Sequence, residues 1–298
     1  MPRREGQSTG WRWTLALCAL LAGVGLSLFA LALRPCRFVI EPGESVAWEL
    51  TVRSAASGEA TAAARATRMV IRLLGLGPEP EAVAWFAGPS AERASAFHLA
   101  MLPVDGALRL RTPEGRIALS GPHCLGFDFN LLPLPPGAEQ SWRASVVWAP
   151  LPPDKQLVPV EVRRLRANAW PEFRCLFPPS IEWVDPHSGR YRQVRGLAAT
   201  YRFDTLRGLP VWALVRWTLR EELPPPQGFA SRDYECELRF LERRRHGEPA
   251  ALRQAAALAQ RVHEARAAGQ RPALAWLAAL QAAGEPFASL AGASPERL

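Results

Sequence analysis

The chain has 298 residues and a formal net charge of +8. Without residues 1–36, about 260 residues remain, which is enough for one large all-β domain or two smaller ones. The aromatic residues are not interleaved with the arginines as a base-stacking surface requires, so we predict no nucleic-acid partner. The basic charge instead favours acidic envelope polymers or anionic lipid headgroups.

The stretch from Thr14 to Leu33 is apolar and contains no charged side chain. As an α-helix it is about 30 Å long, which matches the hydrocarbon core of a bilayer. We therefore predict a transmembrane signal anchor over residues 14–33, after a short cytoplasmic tail over residues 1–13. A cleaved signal peptide, with Ala30-Leu31-Ala32 as its cleavage site, is the alternative, although the apolar run exceeds the usual h-region of about 7–15 residues.

Three arginines precede the apolar stretch and two follow it closely. The excess of positive charge on the N-terminal side, which orients a membrane span, is therefore small. A first apolar segment behind a short basic tail, however, ordinarily acts as an export signal. We therefore expect a single-pass membrane protein with a cytoplasmic N-terminus and with residues 14–33 in contact with membrane lipid. The bulk of the chain is expected to be extracytoplasmic, in the periplasm or on the cell surface.

Residues 38–248 have the pattern of a β domain. Apolar and polar residues alternate over Val46–Val52, as in a strand with one buried face, and Asp105-Gly106 and Glu114-Gly115 are typical of hairpin turns. Further strands are predicted over residues 67–74, 82–86, 97–102, 107–111, 117–120, 142–148, 157–166, 172–177, 180–184, 191–203, 209–220 and 234–241. The predicted fold is mainly β, an antiparallel sandwich or a strongly curved sheet.

Two segments indicate where this sheet is interrupted and where it is central. Proline cannot donate to a strand ladder, so Leu131–Pro136 is expected at an edge or outside the sheet. The β domain is accordingly either continuous or divided into two halves near residues 131–153. The strand Val211–Trp217 is apolar on both faces, which favours a central strand covered on both sides.

The hydrophobic period changes from strand to helix at Pro249, a residue suited to the first turn of a helix. Apolar residues then recur at helical spacing until Gly269, and a second helix follows from Pro272 to Gly284. We predict a helical hairpin over residues 249–284 and a tail over residues 285–298. The hairpin is expected to cap the β domain; docking of a protein partner is the alternative.

Four cysteines follow the apolar stretch, and no two of them form a Cys-x-x-Cys pair, so neither a zinc site nor a thioredoxin-like redox site is indicated. These residues are Cys36, Cys124, Cys175 and Cys236. In an oxidising compartment they allow two disulfides, of which Cys175 with Cys236 is the first pair to test. Buried free thiols are the alternative.

The sequence contains no motif that identifies a reaction. It lacks the zinc motif H-E-x-x-H, the nucleophile elbow G-x-S-x-G and a glycine-rich phosphate loop, so we predict no catalytic, cofactor-binding or metal site. A hydrolase would require two or more of Asp128, Asp204, His123 and His187 to converge in one cleft. The aspartates are better interpreted as turn residues, and Arg243–Arg245 as a solvated strand end, with anionic headgroups as the alternative contact.

One resemblance rests on Leu131-Leu132-Pro133, on Trp142 and on Tyr201-Arg202-Phe203-Asp204 with Gly208. Over residues 130–216, this order of motifs resembles uncharacterised bacterial membrane-anchored envelope proteins with a β domain. The resemblance implies a β domain attached to an N-terminal signal or anchor, and it implies no catalytic residue.

The functional hypothesis that follows is a non-catalytic envelope scaffold or binding module on a membrane anchor. Its tryptophan-rich β surface and its helical hairpin would contact a partner. The alternative is a carrier or sensor that encloses an apolar ligand in a curved β-sheet, and a hydrolase is the third choice. An apolar cavity lined by tryptophan and leucine would favour the carrier over the scaffold.

Overall fold

The strand-forming runs of the sequence pair into one large antiparallel sheet. The computed structural model describes residues 13–24, 36–56, 65–78, 81–88, 96–101, 109–110, 123–124 and 126–292, without 138, 149, 153, 167, 169, 187 and 286. The predicted strand over residues 117–120 and the segment 57–64 between the first two strands lie outside the described residues.

The described strands follow most of the predicted ones closely. They are β1 (Glu44–Ala56), β2 (Arg65–Pro78), β3 (Glu81–Gly88), β4 (Ala96–Met101), β5 (Arg109–Leu110), β6 (His123–Cys124), β7 (Phe127–Asp128), β8 (Ser141–Val147), β9 (Leu157–Arg166), β10 (Glu172–Leu176), β11 (Ser180–Val184), β12 (Tyr191–Asp204), β13 (Leu209–Glu222) and β14 (Phe229–Arg245). A 12-stranded sheet has the order β5-β4-β3-β2-β1-β14-β13-β12-β10-β9-β8, and β11 also pairs with β12. The short strands β6 and β7 form a separate two-stranded sheet.

The large sheet is strongly curved. Trp148 follows β8 and Trp217 lies in β13, four positions away in the sheet, which is about 19 Å in a flat sheet. Their ring centroids are nevertheless only 5.4 Å apart. The described strands therefore form a strongly curved sheet, which is one of the two predicted architectures. The other predicted architecture, a sandwich, was wrong for these strands.

The apolar residues lie on the inner, enclosed face of this sheet. In β1, Val46, Trp48, Leu50 and Val52 are at most 8% exposed, which confirms the alternation predicted for this strand. The other buried residues of this face include Ile71, Leu73, Val158, Val160, Val162, Phe173, Cys175, Ala199, Tyr201, Phe203, Ala213, Val215, Cys236 and Leu238. Two segments outside the 12-stranded sheet fill the enclosed space, residues 36–40 and residues 126–134.

The strand β13 is central, between β12 and β14, but the prediction that both its faces are covered was wrong. Its inner face is buried at Ala213, Val215 and Trp217, whereas Trp212 on the outer face is half-buried and Arg216 is exposed. The ring N–H of Trp212 donates a hydrogen bond to Glu237 Oε1 at 3.1 Å. An indole ring whose N–H has a hydrogen-bond partner is stable when partly exposed to solvent. The apolar residues on the outer face of β13 therefore do not require a second layer of protein over them.

The C-terminal helices cover part of the outer face of the sheet. These helices are α2 (Pro249–Ala267), α3 (Leu274–Ala282) and α4 (Phe287–Gly292), and they pack with Leu74 and Leu76 of β2. The hairpin predicted over residues 249–284 is present, but it covers a face and not an end of the β domain. The segment predicted as a tail contains α4, because Phe287 and Leu290 are buried against the other helices.

The N-terminal helix α1 spans residues 13–24. Among the described residues, no helix is long and apolar enough to cross a membrane. Residues 25–33, the second half of the predicted anchor, lie outside the described residues. The transmembrane anchor over residues 14–33 therefore stays a prediction.

Candidate ligand-binding interior

Residues 126–134, here called the insert, enter the space that the curved sheet encloses. Four of their side chains are at most 2% exposed: Phe127, Phe129, Leu131 and Leu132. The Phe129 ring packs edge-on against Trp48, with 5.4 Å between the ring centroids, and against Phe38, with 5.9 Å. The interior of the sheet is thus occupied by apolar side chains from a segment outside that sheet.

The conformation of the insert depends on two polar or small residues. Asp128 accepts a hydrogen bond from the main-chain N–H of Asn130 at 2.8 Å and thereby caps a short 3₁₀ turn over Phe129–Leu131. Gly126 has a φ of +87°, and a Cβ at this position would lie 3.1 Å from the ring of Trp217. Only glycine fits this backbone conformation and this close approach without strain.

The sheet holds the insert through side chains that donate to its carbonyl groups. Trp148 Nε1 donates to Gly126 O at 3.0 Å, and Cys175 Sγ lies 3.7 Å from Leu131 O. The Tyr201 hydroxyl donates to Pro133 O. The main chain of the insert pairs with β6 and not with a strand of the large sheet, so its displacement would break no ladder of that sheet.

The titratable groups around the insert are kept neutral by burial. Burial raises the pKa of the Cys36 thiol to about 11, against the lowering effect of the Arg164 charge. Burial likewise raises the pKa of the Cys175 thiol and that of the Tyr201 hydroxyl. At neutral pH these groups are therefore protonated, and neither thiol is a nucleophile.

Trp142 and Arg164 lie at the margin of the buried interior. Both side chains are half-buried, whereas Phe173, which both of them contact, is fully buried. The Arg164 guanidinium carbon is 5.5 Å from the centroid of the Phe173 ring, and the Trp142 ring centroid is 5.7 Å from it. Sequence reasoning missed Arg164, because one arginine in 35 carries no signal in its local sequence.

The disulfide predicted as the first pair to test, Cys175 with Cys236, does not form: both residues are buried and neither is in a disulfide. Cys175 lies in β10 and Cys236 in β14, strands that are not neighbours in the sheet. Cys36 is a buried free thiol, and the Cys124 side chain lies outside the described residues.

A groove of about 410 Å³ lies elsewhere, where β1, β13 and β14 run side by side. Glu235 lies in it between two arginines, with Arg53 Nη1 at 2.7 Å and Arg216 Nη2 at 2.7 Å. Beside this triplet, the Thr218 hydroxyl donates to Asp233 Oδ1 at 2.7 Å. These charged groups are paired with one another, and the stacked rings of Trp217 and Tyr234, 5.1 Å apart between centroids, give the groove an apolar part.

A buried polar cluster connects the sheet to the start of α2. Arg72, only 5% exposed, donates from Nη1 to Ser45 Oγ at 2.9 Å and from Nη2 to Glu242 Oε1 at 2.8 Å. Ser45 Oγ lies 2.6 Å from His246 Nε2. Burial lowers the pKa of His246, and the charges of Arg72 and Arg244 lower it further. Ser45 is completely buried, so this serine and histidine act in structure and not as a reactive pair.

The residues considered for a hydrolase do not assemble into a described site. Asp204 accepts from the main-chain N–H groups of Leu206 at 2.9 Å and Arg207 at 3.0 Å, as expected of a turn aspartate. His123 pairs with Asp128 across β6 and β7, but its side chain, like His187, lies outside the described residues. No cluster able to hold a metal ion is found in the part of the chain that is described.

Arg243–Arg245, considered for lipid headgroups, are paired with carboxylates of this chain. Arg243 pairs with Glu44, Arg244 with Glu242 at 2.6 Å, and Arg245 with Glu41 at 3.7 Å. The guanidinium groups of Arg244 and Arg245 are largely exposed, so these two pairs are weak and screened by salt.

No family model and no curated protein matches the chain. Among solved structures, the chain is similar to lipovitellin, at 10% identity and a TM-score of 0.41 over 70% of this chain, and it spans 26% of that protein's length. It is also similar to an outer-membrane lipoprotein-sorting protein domain from Vibrio parahaemolyticus (14% identity, TM-score 0.24, 69% of this chain and 86% of that one). A LolA-superfamily protein from Nitrosomonas europaea matches at 14% identity and a TM-score of 0.24, over 71% and 89% of the two chains. At TM-scores below 0.5 these similarities assign neither a fold family nor a function.

Proposed function

We propose that the protein binds an apolar or amphipathic molecule in the interior of its curved sheet and acts as a carrier or sensor of that ligand. One observation carries this proposal: the apolar inner face is covered by the insert, which belongs to a separate small sheet. The ligand would replace the insert in the interior.

The energetics of such an exchange are balanced. Small-molecule sites are mostly apolar, contain a few polar groups and measure about 300–1,000 Å³. The inner face offers aromatic and aliphatic side chains to a ligand, and Tyr201 and Cys175 offer hydrogen-bond donors once Pro133 and Leu131 have left. Displacement would expose the four buried apolar side chains of the insert, which costs about 1.5–3 kcal/mol each, and burial of a long hydrocarbon tail, which contributes about 0.8 kcal/mol per CH₂ group, would offset this cost.

The variant Leu132→Cys tests whether the insert is displaced. Leu132 is 2% exposed, so its replacement thiol is expected to react slowly with a maleimide in the ligand-free protein. Dodecanoic acid, used as the probe, is expected to increase the rate at this position at least tenfold, because a displaced insert is exposed to solvent. The rate is measured by mass spectrometry of the labelled peptides.

Cys236 is the matched internal control, because it is fully buried on the inner face of β14 and is not part of the insert. Its labelling is expected to stay slow with and without the probe. If dodecanoic acid binds and the rate at position 132 is unchanged or falls, the insert is a fixed part of the core and the proposal is wrong.

We also propose that residues 14–33 anchor the protein in a membrane, with the β domain outside the cytoplasm. The charge-free apolar stretch and the basic tail before it support this location. Alkaline phosphatase fused after Arg37 is expected to be active, and a green fluorescent protein fused there is expected to be dark. The reverse pair of results would overturn the location.

A scaffold role of the helical hairpin is the second candidate, and one observation favours it. Leu274, at the start of α3, is 84% exposed in a helix composed almost entirely of apolar residues. An exposed apolar side chain of this size is suited to contact a protein partner. This role is compatible with ligand binding, since the hairpin packs on the outer face of the sheet.

A further inference from the structure

The margin of the buried interior contains two hydrogen-bond donors that have no acceptor among the described residues. Trp142 in β8 and Arg164 in β9 lie on the inner face, because Trp142 pairs with Val162 and Arg164 pairs with Phe173 across the strands. The indole Nε1 of Trp142 and the Nε of Arg164 are buried atoms without a hydrogen-bond partner in the described part of the chain. A buried donor without an acceptor costs free energy, so this arrangement favours an acceptor from outside the chain.

The positive charge of Arg164 is also uncompensated. Among the half-buried arginines, Arg53, Arg192 and Arg243 form ion pairs with carboxylates. Arg164 has no carboxylate within 4.0 Å among the described residues, and its side chain makes one long hydrogen bond of 3.5 Å, from Nη2 to Gly137 O. Its guanidinium is held in place by stacking on Phe173, so it is positioned before any partner arrives.

We infer that Arg164 and Trp142 bind the acidic head of an amphipathic ligand whose hydrocarbon tail occupies the interior. This inference rests on the proposed function, since it requires the interior to accept the tail. Guanidinium and indole N–H groups donate and never accept, so the head must be an acceptor. A guanidinium is best matched by a carboxylate or a phosphate, which it binds through charge-assisted hydrogen bonds.

The experiment compares ligands of one chain length on the purified full-length protein held in amphipol. Dodecanoic acid, dodecyl phosphate and dodecan-1-ol each displace the fluorescent probe N-phenyl-1-naphthylamine, and acetate and inorganic phosphate serve as heads without a tail. In the wild type, at least one of the two acidic ligands is expected to bind at least tenfold more tightly than the alcohol. The better of them identifies the head as carboxylate or phosphate, and the tailless anions are expected not to displace the probe.

The variant Arg164→Gln is expected to lower the affinity for the preferred acid about tenfold and to leave the affinity for the alcohol unchanged. Trp142→Phe keeps the aromatic contact with Phe173 and is expected to lower the affinity for the acid by a smaller factor. Arg163→Gln is the matched control: Arg163 is the exposed neighbour, already paired with Glu161 at 2.8 Å, and its loss is expected to change neither affinity. Thermal unfolding of each variant shows that it is folded.

Each contrary result has a separate meaning. Equal affinity for acid and alcohol, or an Arg164→Gln variant that loses both equally, would overturn the acidic-head assignment and leave the proposed function intact. Displacement of the probe by inorganic phosphate or acetate alone would show an anion site without a tail site and would overturn the amphipathic ligand. Failure of all three long-chain ligands and of the probe to bind would overturn the proposed function itself.

Discussion

Replacing Phe129 with alanine is expected to lower the free energy of unfolding by about 3–5 kcal/mol. Phe129 is 2% exposed and its ring contacts those of Phe38, Trp48 and Phe127, at 5.9, 5.4 and 5.3 Å between centroids. The truncation removes these contacts and leaves a cavity in the centre of the interior. Urea unfolding followed by tryptophan fluorescence measures the change.

The cavity of the Phe129→Ala variant provides a second measurement. An apolar cavity of this kind stays dry and binds benzene-sized molecules, so benzene is expected to raise the melting temperature of the variant and not that of the wild type. Phe229→Ala is the matched control, because Phe229 is 47% exposed and its loss is expected to cost about 1 kcal/mol or less. Equal effects of the two substitutions would show that the insert does not pack in the interior.

Replacing Glu242 with alanine is expected to lower the free energy of unfolding by about 3 kcal/mol, because it leaves Arg72 as a buried charge without a counter-ion. The Arg72 side chain is 7% exposed and that of Glu242 is 25% exposed, which places the effect at the lower end for buried pairs. Glu161→Ala removes an exposed ion pair with Arg163 and is expected to cost less than about 1 kcal/mol. The double variant Arg72→Met with Glu242→Ala is expected to recover part of the loss, since no charge is then left buried.

The same cluster gives stability a pH dependence of definite sign. Burial raises the pKa of Glu242, but the hydrogen bond and charge of Arg72 outweigh it, so the pKa lies below its ordinary value of 4.5. A lowered carboxyl pKa contributes stability above pH 4.5 that is lost as the pH falls through the folded-state pKa. The pKa of His246 is lowered from 6.5, so its neutral form contributes stability above pH 6.5. That contribution is lost as the pH falls from 6.5 through the folded-state pKa. The Glu242→Ala variant is expected to show a smaller loss of stability below pH 4.5 than the wild type. An identical pH profile would contradict the pairing with Arg72.

The local patterns of the sequence were sufficient for the elements and for their buried faces. Val46, Trp48, Leu50 and Val52 were assigned to one face because side chains alternate along a strand, whatever the strand pairs with. The start of α2 at Pro249 and the turn role of Asp204 were likewise readable, because each depends on a few adjacent residues. Only the outer face of β13 was misjudged, since the sequence does not reveal that Glu237 and Arg202 accommodate Trp212 there.

The candidate site was not readable in the same way, because its parts are distant in sequence. Tyr201 contacts Pro133 across 68 residues, and Trp48 donates to Pro210 across 162 residues. Gly126 is required by the ring of Trp217, a neighbour that only the curvature of the sheet brings near. The residues around Arg72 and Arg164 form no recognisable sequence motif. Their roles depend on which side chains the fold places beside them.

The sequence by itself determined a strand-built body, its inner residues, its C-terminal helices and a charge-free apolar stretch near the N-terminus. Only the tertiary structure decided that the sheet curves around an insert, that Cys175 and Cys236 form no disulfide, and that Arg164 has no carboxylate partner in the part of the chain that is described. The physical reason is that side-chain period and turn geometry are set by neighbours along the chain. Strand order and curvature are set by the free energy of burying apolar faces that are more than a hundred residues apart, and no short stretch contains that information.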